Sequence, residues 1–302
     1  MKLFRLELKI LSPTGSLWQS DTLFGHICWQ IALREGEQAL KTFLQPFLDG
    51  KPPFVLSDGF PRECLPMPLP PPEAGAPKSL EEYQQHKKVR KQKYCLKDDF
   101  LILREGFGNQ AKQLEAAPGW QQEVILHTAI DRNTGGAMEG QLYSSIAQYF
   151  PGPGTESFTD IYLLCQPEWE AQAVELLEMT AETGYGKDKS TGSGHFELYD
   201  YYPADELLQM DNPTGFMTLS SYVPKQEDPT AGRYKLRTKY GRLSEGAGNG
   251  NPFKRPLLQI EPGAVLQTES VRPYYGRMVE NIAPGMPEAV QYGFTIALPI
   301  RN

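Results

Sequence analysis

The spacing of apolar residues along the chain predicts an alternation of strands and helices. Residues 3–10 alternate apolar and charged side chains, which is the pattern of a strand with one solvated face. Apolar residues from Leu23 to Ala32 then recur at helical spacing. The preceding residues 20–22, Ser-Asp-Thr, offer side-chain oxygens that can cap such a helix. The chain is therefore expected to open with a strand and a capped helix.

A proline-rich segment interrupts this pattern between residues 51 and 77. Proline lacks a backbone N–H and has a fixed φ, so this segment cannot form a regular helix or a central strand. The polar and basic residues 79–94 that follow suggest a short exposed helix. Apolar and β-branched runs beyond it predict three strands, at 123–130, 142–146 and 157–165.

The next three segments are a predicted helix, a glycine-rich loop and a predicted strand, at residues 168–182, 184–194 and 195–201. The order of elements is then strand–helix–strand–strand–helix–strand, which is the ferredoxin-like order. Further strands are expected at 215–223, 257–261, 264–268 and 292–300. We therefore predict an α+β fold of two ferredoxin-like (RRM-like) domains with long loop insertions and a glycine-rich loop. Their predicted bounds are residues 1–203 and 204–302.

The glycine-rich loop, Gly-Tyr-Gly-Lys-Asp-Lys-Ser-Thr-Gly-Ser-Gly, is the strongest candidate binding element. Glycine permits left-handed backbone angles, while successive free N–H groups and flanking ammonium groups attract phosphate oxygens. The loop is not a Walker loop, because Asp188 rather than glycine precedes Lys189. It is not a dinucleotide fingerprint, because a helix precedes it and a strand follows it. A flexible linker is the alternative, against which the two lysines and the Ser-Thr pair argue.

Composition limits the class of protein. The 302 residues, of which 40% are hydrophobic, suffice for two folded domains of ordinary size. There is no run of about 18 apolar residues that would span a membrane, and the charged N-terminal strand is unlike a signal peptide. The four cysteines lack any Cys-x-x-Cys spacing, which favours a reduced cytoplasmic protein over a disulfide framework or a zinc site.

The formal net charge of −7 hides two basic clusters. Residues 233–255 contain seven lysines and arginines against one acidic residue, and residues 87–93 contain five. Phosphate binding depends on the local field rather than on net charge, so both clusters are compatible with a nucleic-acid partner. Each could equally be a solvated face, and the acidic remainder could face basic protein partners.

Several segments together resemble one family. They are Ser20–Trp29, His127–Tyr143, the loop 184–194, Lys239–Glu245, Glu261-Pro-Gly263 and Gln291–Pro299. In this order and spacing they are similar to the RAMP superfamily of CRISPR effector proteins. The likeness is greatest to the subunit of type III-A (Csm) complexes that caps the 5′ end of the guide RNA, and it spans nearly the whole chain.

The resemblance implies a non-catalytic role in antiviral defence, with no cofactor and no bound metal. Such subunits hold the repeat-derived 5′ tag of the CRISPR RNA (crRNA) between the large polymerase/cyclase-type subunit and the first backbone RAMP subunit, close to the target RNA. A thumb, here about Ile130 to Tyr149, disturbs the guide–target duplex. The residues implied in RNA binding are Gly184, Gly186, Lys187, Lys189, Ser190, Thr191, Gly192, Gly194, Arg132, Lys239 and Arg242.

Enzymatic alternatives stay open at this point. An endoribonuclease that processes precursor crRNA needs a general acid and base, and His195 beside the loop is the best placed of the four histidines. His26 more simply packs in a helix, while His127 and His86 lie in a strand and a polar segment. A nucleotide-binding enzyme is disfavoured because the loop matches neither the Walker pattern nor the dinucleotide-binding pattern. A metal-dependent nuclease is disfavoured by the lack of a carboxylate set with ligand spacing.

Overall fold

The computed structural model describes residues 1–72, 79–107, 117, 119–149, 156–187, 189, 192–243 and 252–301. The helices are α1 (Ser20–Glu35), α2 (Glu37–Leu48), α3 (Leu80–Lys91), α4 (Lys97–Leu103) and α5 (Glu170–Ala181). The strands are β1 (Lys2–Ile10), β2 (Phe54–Leu56), β3 (Phe60–Pro61), β4 (Cys64–Pro66), β5 (Tyr94–Leu96), β6 (Gln121–Ile130), β7 (Ala137–Tyr149), β8 (Ser157–Cys165), β9 (Phe196–Pro203), β10 (Gly215–Thr218), β11 (Gly232–Arg233), β12 (Leu236–Lys239), β13 (Leu257–Ile260), β14 (Val265–Gln267), β15 (Tyr274–Gly276) and β16 (Phe294–Ile300).

The first sheet is built around β1 and carries helices on its apolar face. Its strand order is β2–β8–β1–β9, with β3 also paired to β8, and these pairings are antiparallel. Leu6 and Leu8 of β1 share a core with Ile27 of α1 and Leu176 of α5. These apolar side chains alternate with charged ones along β1, so the opposite face of the sheet is polar.

The second sheet shares its apolar interior with the first. Its order is β11–β14–β10–β16–β15, again with antiparallel pairings. β16 is buried along its whole length, as its nearly continuous apolar sequence requires. Ile296 and Leu298 belong to the core that holds β1, whereas Ala297 on the other face of β16 packs with Phe216 and Tyr275. Apolar packing is therefore continuous between the two sheets.

The α+β class expected from the sequence is confirmed, with antiparallel sheets and helices against one of them. The boundary between residues 203 and 204 stays a prediction. Strands from both sides of that boundary contribute to one core.

The predicted strands at 123–130 and 142–146 form, but they do not join the first sheet. They pair with each other as the β6–β7 hairpin, and most of their side chains are exposed. β2 and β3, from the proline-rich segment, take places beside β8 instead. β2 lies at the edge of the sheet, where neighbouring prolines without an N–H are tolerated.

The side-chain cap expected at the start of α1 is wrong. The cap position is Gln19, and it has no side-chain capping bond. Ser20 is buried, and its backbone N–H and hydroxyl both donate to Asp58 Oδ1, at 2.9 and 3.0 Å. The polar residues that suggested a cap therefore belong to a buried network at the start of α1.

Candidate nucleic-acid interface

The glycine loop, residues 184–194, connects α5 to β9 and is anchored by the buried ring of Tyr185. The Tyr185 hydroxyl accepts a hydrogen bond from the Gln19 backbone N–H (2.8 Å) and donates one to the Leu17 carbonyl (2.7 Å). Its ring stacks on Trp18, with 4.1 Å between centroids and 10° between planes. Burial raises the pKa of Tyr185, so the hydroxyl keeps the proton that it donates. The loop is thereby fixed to the segment that precedes α1.

The backbone N–H groups of the loop are largely used within the protein. Six N–H groups of its described residues donate to protein acceptors, in the pairs Gly184–Ala181 O (3.3 Å), Tyr185–Gly194 O (2.8 Å), Gly186–His26 Nε2 (2.9 Å), Lys187–Ser16 Oγ (3.3 Å), Gly192–Lys189 O (3.3 Å) and Gly194–Pro13 O (2.9 Å). The expected cradle of free N–H groups is therefore wrong for these residues. The four glycines have φ between 71° and 94°, and this left-handed backbone closes the loop on itself.

Because the backbone N–H groups of the loop are used within the protein, its side chains are left to contact phosphate. Lys187 is exposed, and Lys189 is half-buried beside α1, near enough to His26 to affect its pKa. Ser190 and Thr191 lie outside the described residues. The loop therefore presents lysine charge from a framework that is internally bonded.

His26 of α1 is held as a neutral hydrogen-bond acceptor. Its Nε2 accepts the Gly186 N–H, which requires that nitrogen to be unprotonated. Burial first, and the charge of Lys189 second, lower the pKa of His26 from 6.5 to about 4. The imidazole therefore stays neutral at pH 7 and joins α1 to the glycine loop.

Replacing His26 with glutamine is expected to change the pH dependence of stability below pH 6.5. The unfolded chain protonates His26 near pH 6.5 and the folded chain only near pH 4, so the contribution of His26 is full above pH 6.5 and is lost as the pH falls toward 4. The loss should be about 3–3.5 kcal/mol, given about 1.4 kcal/mol per pKa unit. A glutamine amide oxygen can accept the same bond without titrating. Urea unfolding at several pH values measures the effect.

The quantity to compare is the free energy of unfolding of wild type minus that of His26→Gln at each pH. This difference is needed because the titration of Asp160 changes stability in the opposite direction. Burial, only partly offset by Arg5, raises the pKa of Asp160 to about 7, so its contribution to stability falls as the pH rises from about 4 to 7. The difference curve cancels this contribution. It should rise between pH 4 and 6.5 and be flat above. A curve that is flat throughout would contradict the role given to His26.

A groove of about 1090 Å³ runs beside the anchor of the glycine loop. Its lining includes Leu17, Trp18 and Gln19, the residues that contact Tyr185. Six cationic residues line it as well: Lys88, Arg90, Lys91, Lys93, Lys235 and Arg237. The fold thus brings together parts of two basic clusters that are far apart in the chain. The acidic residues in the lining are Asp58 and Glu261.

Aromatic rings interleave with these cations. Tyr94 and Trp120, both half-buried, line the groove, whereas the rings of Phe60 and Trp18 in its wall are buried. A basic surface with ring faces suits a single-stranded nucleic acid, whose phosphates and unstacked bases are both accessible. The sequence indicated each basic cluster, but one sequence carries no signal that pairs them.

Lys239, implied in RNA binding by the resemblance, is used inside the protein. Its ammonium pairs with Asp21 and also donates to Gln19 Oε1 (3.3 Å) and Thr22 Oγ1 (3.1 Å). The Lys239 side chain is 17% exposed and that of Asp21 is 1% exposed. Burial alone would raise the pKa of Asp21, but Lys239 holds it below its usual value. An RNA contact by Lys239 stays a prediction. The Lys239 ammonium already forms an ion pair with Asp21.

The β6–β7 hairpin contains the predicted thumb and extends it back to Gln121. Arg132 is exposed in its terminal turn. A backbone bridge between Thr14 and Gln148 ties the hairpin base to the segment that also receives the glycine loop. One face of the hairpin carries exposed apolar side chains: Val124, Leu126, Leu142 and Ile146.

The β12–β13 ribbon places further exposed groups beyond Lys239. Arg242 is exposed and forms an isolated bridge with Phe253. The rings of Tyr240 and Phe253 are 77% and 61% exposed. Because bases stack on such rings, Phe253 joins Tyr240 as a candidate contact. Nothing in the local sequence distinguishes Phe253 from a core residue.

Comparison with known proteins gives a structural likeness only. No protein-family model matches the chain, and no curated protein matches it. It is similar to a chain of the Csm3-Csm4 subcomplex in the type III-A CRISPR-Cas interference complex, with 16% identity, a TM-score of 0.64 and 100% of both chains covered. It is also similar to a chain of the Csm1-Csm4 cassette in complex with pppApA, with 19% identity, a TM-score of 0.60 and coverage of 99% of this chain and 98% of that one.

A chain of the type III-B Cmr-beta complex bound to cognate target RNA and AMPPnP matches as well, with 10% identity, a TM-score of 0.50 and coverage of 87% and 86%. The chain has the fold of these CRISPR-Cas chains. The sequence resemblance implied the fold of type III CRISPR-Cas complex subunits, and this likeness in fold is confirmed. In the described residues, none of the helices is long and apolar enough to cross a membrane.

The described histidines are dispersed over the structure. His127 Nε2 lies 2.7 Å from Ser145 Oγ and its ring stacks on Tyr143, whereas His26 accepts the Gly186 N–H. His195 is half-buried at the start of β9. The side chain of His86 lies outside the described residues. Within the described part of the chain, no group of three or more His, Cys, Asp or Glu could hold a metal ion.

Proposed function

We propose that the chain is a non-catalytic subunit of a type III CRISPR RNA-guided effector complex. In this role it binds the 5′ repeat-derived tag of the crRNA and bridges the large polymerase/cyclase-type subunit to the backbone RAMP subunits, in antiviral defence. The observation that carries the proposal is the basic and aromatic groove beside the glycine loop. Its charges and rings match the phosphates and unstacked bases of a single-stranded tag.

The partners follow from the assemblies that contain the similar chains. One is a Csm1-Csm4 cassette and another is a Csm3-Csm4 subcomplex, and Csm4 is the component that the two have in common. A chain in that position contacts two different protein subunits. The exposed β6–β7 hairpin, with Arg132 at its tip, is the element that we place near the guide–target duplex.

Removing the loop lysines is expected to weaken tag binding. In Lys187→Ala/Lys189→Ala, the affinity for a tag RNA oligonucleotide should fall about tenfold, since two phosphate contacts are lost. The slope of log affinity against log salt should fall by about 1.4, at about 0.7 per phosphate of a single strand. Fluorescence anisotropy over a salt series measures both quantities.

Two further variants test whether the effect is specific to the loop and the groove. Lys88→Ala/Lys91→Ala should reduce the slope similarly if the strand runs through the groove. Lys2→Ala/Lys51→Ala removes two exposed lysines outside the groove lining and should leave the slope unchanged. Wild-type affinity and slope in the loop variant would contradict the loop assignment.

The same RNA tests the endoribonuclease alternative. Repeat RNA incubated with the chain and EDTA is expected to stay intact. Cleavage at a defined position that is abolished by His195→Ala would contradict the non-catalytic role.

A further inference from the structure

We propose that the outer edge of the first sheet, at Tyr199, Asp200 and Tyr202 of β9, docks an arginine-bearing segment of a protein partner. These three residues are called the β9 surface below. β9 ends the strand order β2–β8–β1–β9, and within the described residues it pairs with β1 alone. Tyr199 and Tyr202 are 56% and 39% exposed, and Asp200 is exposed. The proposed function supplies the partner, a protein subunit of the same complex, and the proposal rests on it in that respect.

The polar face of the first sheet already binds two guanidinium groups of the chain itself. The Arg5 guanidinium lies 5.1 Å from the ring centroid of Tyr202. The Arg62 guanidinium lies 4.4 Å from that of Phe158 and also pairs with the carboxylate of Glu7. A ring face beside a carboxylate is therefore the way in which this face holds arginine, since the ring quadrupole and the carboxylate both attract the cation.

Within the β9 surface, the Asp200 carboxylate stands beside the exposed ring of Tyr199, and in the described residues neither group binds a cation of the chain, whereas the Tyr202 ring already holds Arg5. The Asp200 carboxylate accepts the Tyr201 N–H (2.8 Å), and its proximity raises the pKa of the Tyr202 hydroxyl. A carboxylate has about four acceptor positions, so room for a bidentate guanidinium remains. Among the described residues, the ion pairs of this face involve other carboxylates than Asp200.

The charge balance of this face favours a basic protein over RNA. Its cations are Arg5, Lys9 and Arg62, and each has a carboxylate partner within the chain. Its exposed carboxylates are Glu63, Glu156, Glu197 and Asp200; Glu7 is buried beneath Arg62, and the carboxyl group of Asp160 is buried with its pKa raised to about 7. Phosphate groups are repelled by such an excess, while guanidinium groups are attracted. None of the three residues of the β9 surface lines the basic groove, so RNA and this partner would not compete.

The backbone of β9 also presents these side chains outward. The register with β1 shifts between Glu7 and Leu8, and Tyr199 is the extra residue on β9 at this bulge. A bulge turns the side chain of the extra residue away from the regular alternation. The Tyr199 ring packs edge-on against Phe158, with 5.3 Å between centroids, and this contact supports its exposed position.

The test uses the complete complex, reconstituted from the chain, the large subunit, the backbone subunit and guide RNA. Asp200→Lys is expected to weaken association of the chain with the protein subunits at least tenfold, while its affinity for tag RNA as an isolated chain stays at the wild-type value. The matched control is Glu175→Lys, which makes the same charge change at an exposed position of α5 and should leave assembly unaffected. Circular dichroism confirms that both variants fold.

A second measurement keeps the wild-type charges. The photoreactive residue benzoylphenylalanine in place of Tyr202 should cross-link, in the assembled complex, to a protein segment that contains arginine. Cross-linking to RNA alone, absence of an adduct, or unchanged assembly of Asp200→Lys would each overturn the proposal. If the wild-type chain failed to join the complex, the proposed function would fall with it. If wild type and Asp200→Lys joined equally well, only the β9 proposal would fall.

Discussion

Replacing Lys239 with methionine is expected to lower the free energy of unfolding by about 3–5 kcal/mol, because it leaves a buried carboxylate without its cation. The Asp21 side chain is 1% exposed and pairs with the Lys239 ammonium. Methionine keeps most of the apolar length of the lysine, so the charge is the main quantity changed. Urea unfolding at pH 7 measures the loss.

The size of this effect follows from what Asp21 connects. Its second oxygen, Oδ2, accepts hydrogen bonds from Gln259 Nε2 (3.1 Å) and Gln291 Nε2 (2.9 Å). Lys254 Nζ in turn donates to Gln291 Oε1 (2.8 Å). The start of α1 is thereby bonded to three separate segments of the C-terminal half. A carboxylate left without its ammonium would weaken the attachment of all of them.

The control for this prediction removes both charges. In Asp21→Asn/Lys239→Met neither charge of the pair is left, so more than half of the lost stability should return. Lys235→Met, at an exposed lysine of the same region, should stay within about 0.5 kcal/mol of wild type. A Lys239→Met variant as stable as wild type would contradict the buried ion pair. A double variant no more stable than Lys239→Met would contradict an electrostatic origin of the stability loss.

The spacing of side chains was enough to predict those parts of the fold that depend only on residues within one strand, helix or loop. The period-2 strand at residues 3–10, the helix from Leu23, and the helix–loop–strand order around the glycines all follow from side-chain spacing, and the structure contains each of them. The resemblance of the dispersed motifs added the fold type. These features depend on neighbours in sequence, which is why they could be predicted.

The remaining features depend on residues distant in sequence. The alternation in 121–130 is that of a strand, but it does not tell whether the strand joins a sheet or stands out as a hairpin. The same limit applies to Lys239, which belongs to a basic cluster in sequence and to a buried ion pair in space. The groove is a third example, since its walls come from residues 88–93 and 235–237. A single sequence holds no record of such pairings.

Replacing Gly194 with alanine is expected to lower the free energy of unfolding by about 3–4 kcal/mol. Gly194 has a φ of 71°, a conformation that costs an alanine about 1–2 kcal/mol. A Cβ at this position would also overlap the carbonyl oxygen of Tyr185. The backbone must move apart to relieve the overlap, which breaks the bonds from Tyr185 N–H to Gly194 O and from Gly194 N–H to Pro13 O, at about 1 kcal/mol each.

Gly192 provides the matched comparison within the same loop. Its φ of 94° is also left-handed, but among the described residues beyond its chain neighbours no heavy atom lies within 4 Å of a Cβ built there. Gly192→Ala should therefore cost only the conformational part, about 1–2 kcal/mol. Equal losses for the two variants, measured by urea unfolding, would contradict the close approach of Gly194 to Tyr185.

The same pair of variants separates the framework of the loop from its charges. Lys187 and Lys189 lie between Tyr185 and Gly194, so displacement of Gly194 moves both ammonium groups while removing neither. If the loop grips RNA through these lysines, Gly194→Ala should lower tag affinity about tenfold, as Lys187→Ala/Lys189→Ala does. Gly192→Ala should retain most of the affinity. Full tag affinity in a folded Gly194→Ala variant would mean that the RNA contacts lie elsewhere, with the groove as the remaining candidate.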